Sequence, residues 1–491
     1  MSPAPEMTVG RLAERLGGCL RGRADTPVRG VSHDSRMVRS GDLFVAMRGA
    51  NADGHDYVSE ALARGAAAVI CERPLDHTAP QIVVGNGRVA LARAAAEVYG
   101  HPSRSLRLVG VTGTNGKTTV VHMIESVARA AGERTGMIGT LGSRIGEQVL
   151  PTPLTTPEAS DLQRQLATMR GLGVETAVIE VSSHGLALHR VDCVRFELAV
   201  FTNLGHDHLD FHGSQEDYYL SKELLFTPGY AKRGVVWIDD RWGRRLAERA
   251  EIPLTTVGTG PGAEVRGRMV RQSLSEVVME CSVGGTTLML DAPMGGRHNG
   301  RNALLAAAAA LRMGFSPSEV SSGISSLPPV AGRFELVARE PMAVVVDYAH
   351  TPGAIRAAIG AARAAAEGRV IAVIGAGGDR DRSKRIEMAR AVASADYVIL
   401  TSDNPRSEDP AAILADLAAG LEGRDFTVEA DRAEAIRRAV GRACPGDVVL
   451  ILGKGHEQHQ EIDGERIPFD DRRAARRALG MAGGASREAV Q

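Results

Sequence analysis

Residues 110–119 read "GVTGTNGKTT", a glycine-rich run that ends on a lysine and two threonines. That combination holds phosphates. Backbone N–H groups of such a turn, together with the N-terminus of a following helix, cradle phosphate oxygens. On this reading Gly113, Thr114, Asn115, Gly116, Lys117, Thr118 and Thr119 bind a nucleotide. Lys117 pairs with terminal phosphate oxygens, and the Thr118 hydroxyl ligates Mg²⁺. The run departs from the general G-x-x-x-x-G-K-[ST] pattern, because Val111 stands at the first glycine position.

Carboxylates and imidazoles follow. Glu180 closes the apolar run "AVIE" and leads into "VSSHG". An acid at a strand end beside a phosphate loop holds Mg²⁺ directly or through water. The stretch 203–213, "NLGHDHLDFHG", carries His206, Asp207, His208, Asp210 and His212. Such a set raises zinc, but a phosphate loop calls for magnesium, and histidine is a poor magnesium ligand. Lys222 in "YYLSKELLF" reads from spacing alone as an exposed helix lysine. Asn299 and Asn302 in "RHNGRNALLAA" read as caps or packing residues, with contact to a base as the functional alternative.

These residues need strands and helices to position them. The strand "LRLVGVT" runs through the glycines into the helical "KTTVVHMIESVARAAG". "ETAVIEV" and "ELAVFTNL" are further apolar strands of the kind that parallel sheets cover on both faces. Residues 264–291 alternate in polarity and contain "GG", which predicts a hairpin excursion. Before this unit, residues 1–105 mix short strands ("GDLFVAMRG", "AAAVICE") with helices, and "YGHPSRS" reads as a linker. After it, from 333 to 491, the strands "AVVVDYA", "RVIAVIGA", "YVILTSD" and "DVVLILG" alternate with helical runs. That alternation predicts a doubly wound sheet, with ligands beyond the carboxyl ends of its strands. Arg380, Asp403 and Gly453 all stand just past such ends. The fold class is therefore α/β in three domains, 1–105, 106–332 and 333–491. The central one is a P-loop ATPase-like parallel sheet, and the last is Rossmann-like.

Bulk properties narrow the function. A formal net charge of −1 gives no field for nucleic acid or an acidic membrane. Five scattered cysteines, an odd number, preclude a complete disulfide framework and point to a reducing cytoplasm. The N-terminus lacks a secretory pattern, and no apolar segment is long enough to span a bilayer.

Several motifs occur in order: "GTNGKTT", "EVSSHGL", "NLGHDHLD", "YYLSKELLF", "GRHNGRNALLAA", "GRFE", "DYAHTP", "GGDRDRSKR", "DNPRSEDP" and "GKGHE". Together they resemble the Mur ligases of peptidoglycan synthesis, over essentially the whole chain. The resemblance implies a cytoplasmic, monomeric, ATP-dependent acid–amino-acid ligase. The first domain would hold the UDP end of the substrate, the central one ATP, and the third the incoming amino acid. ATP would phosphorylate the terminal carboxylate of UDP-N-acetylmuramoyl-L-alanyl-D-glutamate, and an amine would displace the phosphate. The same resemblance makes Lys222 a carbamylated lysine that helps bind Mg²⁺ with Thr118, Glu180 and His208. Lys117, Lys222 and His208 become the catalytic set. It assigns Ser35, Ala50 to Ala52, Thr155, Thr156, Ser182 and Arg190 to the uridine nucleotide, and Asn299, Arg333 and Asp347, with His350 beside them, to ATP. Members often carry glutamine where this chain has Leu188, which makes no such polar contact.

The third amino acid separates branches of the family. Diaminopimelate has a second α-amino acid centre, which needs a cation for its carboxylate and acceptors for its ammonium. Arg406 and Arg380 supply forked donors. Glu457 and the Gly453 backbone address the ammonium, and Asp403, Asn404 and Pro405 complete the loop. Lysine-adding relatives usually lack the arginine of "DNPR", so meso-2,6-diaminopimelate is favoured over L-lysine. A folylpolyglutamate synthase would share the phosphate loop but not "DNPR" with "GGDRD". A P-loop switch without ligase chemistry is the reading of another class.

Overall fold

The computed structural model describes residues 7–49 and 52–480. Three sheets divide it. The first has five strands in the order Cys19–Arg21, Gln81–Val83, Ala68–Cys71, Asp42–Val45, Gly30–Ser32, parallel except for its first pair. The expected strands in "GDLFVAMRG" and "AAAVICE" are the two at its middle.

The second sheet has eleven strands. Arg107–Thr112 lies inside it, between Thr176–Glu180 and Leu198–Phe201, and is parallel to both. A strand in that position has helices on both faces, which is why "LRLVGVT" reads as an unbroken apolar run. Helices Lys117–Ala130, Arg297–Arg312 and Pro317–Ser325 cover one face. The run Ala303–Ala310 of the second helix is fully buried, because alanines let it lie close to the sheet. The region around 264–291 is more than one hairpin. Val265–Gln272, Val277–Val283 and Thr286–Ala292 form three successive strands that extend the sheet at one edge.

The third sheet runs Glu335–Ala338, Ala343–Asp347, Val448–Leu452, Val370–Ile374, Tyr397–Leu400, Phe426–Val428. All neighbours are parallel except the first pair. The strand of this sheet that comes last in the chain, Val448–Leu452, sits in the middle, so the connections diverge there and leave a crevice at the carboxyl edge. Asp347, Gly375, Thr401 and Gly453 stand at or just past that edge. A separate hairpin, His459–Ile462 with Glu465–Pro468, follows.

The expected linker at "YGHPSRS" is not a free tether. It forms a short 3-10 turn, Pro102–Ser105, and the buried Ser103 hydroxyl accepts from the Arg195 amide at 3.3 Å. No helix among the described residues is long and apolar enough to cross a membrane.

Candidate active site

The phosphate loop leaves the strand at Thr112 and enters the helix at Lys117. Gly113 has φ 143°, and a Cβ there would meet the Thr202 hydroxyl at 1.9 Å, so only glycine fits. The helix has no side-chain cap, so its first amides are free to meet an anion. The loop is held from behind. The Asn203 side chain accepts from the Asn115 amide at 3.2 Å, and Thr202 and Asn203 donate to the Asn115 carbonyl at 2.6 and 2.8 Å. The Thr114 hydroxyl pairs with the Tyr218 phenol at 3.1 Å. Lys117 Nζ folds over the loop onto the carbonyls of Gly113 and Thr114, at 2.9 and 3.0 Å. Burial lowers its pKa, and Glu180 and Asp207 oppose that shift.

Lys222 is not the exposed helix lysine that its spacing suggests. It is 1% exposed, its Nζ donates to the Gly113 carbonyl at 3.1 Å, and it lies 4.5 Å over the Tyr218 ring. Burial, then the neighbouring Lys117 charge, hold its amine well below the ordinary lysine value. Helix Gln215–Glu223 brings Tyr218 and Lys222 to one inward face, four residues apart.

Glu180 is buried and accepts from the Thr140 amide at 2.9 Å and from the Thr140 hydroxyl at 3.1 Å. His208 takes a left-handed backbone (φ 57°) and packs edge-on to His184. Burial brings its pKa down to about 3, so it is neutral near pH 7. His206 faces Asp381 at 3.3 Å, while His212 packs on Tyr218 and Asp210 is exposed. Among the described residues no three His, Cys, Asp or Glu side chains are arranged to hold a metal. The Thr118 hydroxyl and the Glu180 carboxylate are hard oxygen donors. Magnesium binds through one or two protein oxygens, phosphates and water, so this donor set fits it. A neutral imidazole at His208 suits an outer contact better than a direct bond.

The third unit closes over this loop. Arg333 donates to the Thr118 hydroxyl at 2.9 Å and lies over the Tyr348 ring. Thr351 donates to the Asn115 side chain at 3.3 Å, and Lys384 pairs with the buried Asp207 at 3.0 Å. His350 stands 3.7 Å from Asp207. Asp347 accepts from the Phe334 amide at 2.6 Å, and burial raises its pKa. A cleft of about 1270 Å³ joins Thr118, Glu180 and His208 to Trp237, Asn299 and Asp347. Asn299 bonds the Gly295 carbonyl at 2.8 Å and the Asn302 amide at 3.0 Å, so packing and a place in the cleft go together.

On the side of the first unit, Thr140 and Thr155 share a hydroxyl bond of 3.1 Å. The Thr156 hydroxyl reaches the Glu180 carbonyl and the Ser182 hydroxyl, at 2.8 and 3.1 Å. Arg190 Nη1 donates to the Thr156 carbonyl, and its Nε faces Glu158 at 2.9 Å. These residues form one patch. Ser35 does not join it by any bond, because its hydroxyl donates to Glu60 at 2.9 Å. Ala50 and Asn51 lie outside the described residues, and Ala52 is exposed. Leu188 caps the helix Ser183–Ala187 and makes no polar side-chain contact there.

The carboxyl edge of the third sheet gathers the remaining residues. Asn404 donates to Glu457 at 2.7 Å, and Lys454 bridges both, at 2.8 and 2.9 Å. Gly453 (φ 111°) is required, since a Cβ would stand 2.6 Å from Asp403 Oδ2. Pro405 accepts from the Glu408 amide and turns the loop. Arg406 is half-buried, with Nη1 on the Gly378 carbonyl. A Cβ on Gly377 would lie 3.1 Å from Arg406 Nη1 and 4.0 Å from Arg380 Cγ, so the two arginines border one glycine. Arg380 is exposed and donates to its neighbour's carbonyl. Lys384 and Lys454 were not singled out from the sequence, although both stand inside quoted motifs. The fully buried pair Arg432–Asp471 at 2.7 Å, beneath the edge at Leu452, had no sequence signal.

Three half-buried imidazoles give the fold an acid limit. Burial takes His122 and His298 down to about 4 and His456 to about 3. The unfolded chain titrates histidine near 6.5, so below that pH it binds more protons than the folded chain. Stability is complete above about pH 6.5 and falls as pH drops towards these depressed values. The thermal unfolding midpoint should decline steadily from about pH 7 to pH 4.5. A midpoint constant over that interval would contradict the neutral assignment.

Three family models match the chain: Mur ligase family, catalytic domain over residues 27–107, Mur ligase middle domain over 111–310, and Mur ligase, glutamate ligase domain over 332–455. The UDP-N-acetylmuramoyl-L-alanyl-D-glutamate–2,6-diaminopimelate ligase of Streptomyces coelicolor is 44% identical over 485 residues, covering 95% of this chain and 95% of its own. A solved structure of a ligase of the same name superposes with a TM-score of 0.67 at 33% identity, over 96% of this chain and 99% of that one. The MurF ligase of Thermotoga maritima in complex with ADP shares the fold, with a TM-score of 0.66 at 21% identity over 92% of this chain and 97% of its own.

Proposed function

The chain belongs to the Mur ligase family, and from that premise we propose that it joins meso-2,6-diaminopimelate to UDP-N-acetylmuramoyl-L-alanyl-D-glutamate, driven by ATP, as a cytoplasmic monomer that makes peptidoglycan precursor. The γ-phosphoryl group of ATP passes to the terminal carboxylate of the glutamate, giving an acyl phosphate and ADP. The amine of diaminopimelate attacks the acyl carbon, and the tetrahedral intermediate expels phosphate. Phosphorylation is needed because a carboxylate is a poor electrophile. Both reacting groups are anionic, so cations must screen them.

In this reading residues 1–105 hold the uridine nucleotide with Ser35, and Thr155, Thr156, Ser182 and Arg190 continue that site. The loop 113–119 binds the phosphates, with Lys117 on their terminal oxygens, and Asn299, Arg333 and Asp347 contact ATP. Thr118 and Glu180, flanked by His208 and a carbamate on Lys222, would hold Mg²⁺, which neutralises phosphate charge when bound. Carbamylation fits Lys222, because a neutral amine is the form that attacks CO₂, and its pKa is depressed. In residues 333–491, Arg406 and Arg380 take the distal carboxylate, and Asp403, Asn404, Glu457 and the Gly453 backbone take the ammonium side.

The observation that carries the choice of amino acid is the half-buried Arg406, whose loop meets Gly453 and Glu457 at one sheet edge. Lysine has no distal carboxylate and would leave that cation unpaired. The test is phosphate release from ATP. Release should require both the UDP-MurNAc-dipeptide and diaminopimelate, and L-lysine should substitute poorly. Release that ignores both substrates would sink the ligase reading.

A further inference from the structure

The loop that carries Arg406 does not stand alone. The hairpin of His459–Ile462 and Glu465–Pro468 grips it along its length. Arg406 N donates to the Glu461 carbonyl at 2.9 Å, and Asp463 N donates to the Arg406 carbonyl at 2.7 Å. Glu461 N donates to the Asn404 side chain at 3.0 Å, and the Gln460 side chain donates to the Asp403 carbonyl at 2.9 Å. This pairing holds Arg406 in a left-handed conformation, φ 56°, unusual for a residue with a side chain. The side chain is held as well. Its Nε faces Glu461 Oε2 at 3.4 Å, and Nη1 donates to the Gly378 carbonyl.

A guanidinium has five N–H donors in one plane. Gly378 takes one from Nη1, and Glu461 faces the Nε side as an ion pair at 3.4 Å. The end of the fork, one hydrogen on Nη1 and both on Nη2, remains for a carboxylate, which matches bidentate pairing. We infer that Glu461 and its hairpin are a specificity clamp: Glu461 is the positioning residue that aims Arg406 at the distal carboxylate of the incoming amino acid. The inference rests on the proposed role of Arg406. Glu461 does not touch the substrate. It fixes the cation that does, and a fixed fork loses less rotamer freedom on binding than a free one.

The test is steady-state kinetics of Glu461→Ala and Glu461→Gln, each in the native and in the Arg406→Ala background. In the native background, Glu461→Ala should raise KM for diaminopimelate about fivefold, the upper end of what a partly exposed ion pair supports. Turnover number and KM for ATP should stay within about twofold. Glu461→Gln, whose amide oxygen keeps a partial negative charge facing Nε, should fall between the alanine variant and the native protein, and it carries the comparison if the alanine variant does not fold. In the Arg406→Ala background neither change should add to the loss, because nothing is left to aim. An unchanged KM in the native background, an equal rise in both backgrounds, or a fall in KM from relief of like-charge repulsion would each overturn the clamp. If Arg406→Ala alone leaves KM for diaminopimelate unchanged, the reading of Arg406 fails, and the clamp with it. That result is distinct from a loss with Arg406→Ala and none with Glu461→Ala.

Discussion

Replacing Lys222 by alanine is expected to lower turnover about 100- to 1000-fold, the usual consequence of removing one preorganised charge at a phosphoryl centre. The side chain ends on the carbonyl of Gly113, at the base of the phosphate loop, in a position no solvent reaches. An uncarbamylated lysine there adds a cation beside Lys117, and a carbamate adds an anion that draws magnesium. The two states predict different rescues. Short carboxylates such as acetate should restore part of the activity of Lys222→Ala if the missing group is an anion, whereas small amines should restore it if the missing group is a cation. Native enzyme stripped of CO₂ should regain activity with added bicarbonate. The loss should not come from unfolding. Burial holds the folded pKa of Lys222 below the unfolded value, so the charged amine is disfavoured in the folded chain and burying it costs stability. Its removal offsets part of the cavity left behind. Full activity in Lys222→Ala would exclude the carbamate role, and loss of the folded state would remove it from evidence on catalysis.

What made Lys222 hard to read is general. Its helix has charged and apolar residues on most sides, and spacing alone places the lysine outside. Only the packing of Tyr218 and Lys222 against the phosphate loop buries it, and that contact spans more than a hundred residues of chain. The phosphate loop, by contrast, was legible because strand, glycines, lysine and helix are contiguous. The same division holds in the third unit. The strands and their carboxyl-edge residues follow from local apolar runs, and so does the doubly wound class. That Asn404 meets Glu457 through Lys454 depends on Val448–Leu452 inserting at the middle of the sheet, which is a matter of topology. The link between Asp207 and Lys384 joins two units, and neither residue's neighbours in sequence announce it. The stretch "YGHPSRS" misled for the opposite reason. Its glycine, proline and serines describe a turn accurately, but composition does not say whether a turn packs against the next unit.

Arg406→Ala should lower kcat/KM for diaminopimelate by about three orders of magnitude, as when one partner of a half-buried charge pair is removed. Two sources add to the loss. The substrate's distal carboxylate keeps its desolvation cost without its bidentate partner. The Gly378 carbonyl beside the vacated space loses the donor that Arg406 Nη1 supplied. Arg406→Lys should recover little, because an ammonium cannot form the planar fork and cannot satisfy the Gly378 carbonyl and Glu461 at once. Turnover with L-lysine, expected to be poor in the native enzyme, should change far less, so the ratio of the two amino acids collapses. KM for ATP and for the UDP substrate should stay within about twofold, since none of the residues assigned to either lies in the loop that carries Arg406. If the variant loses both amino acids equally, Arg406 supports the loop rather than selecting the substrate. If it loses neither, the distal carboxylate is recognised elsewhere, and the exposed Arg380 becomes the next side chain to replace.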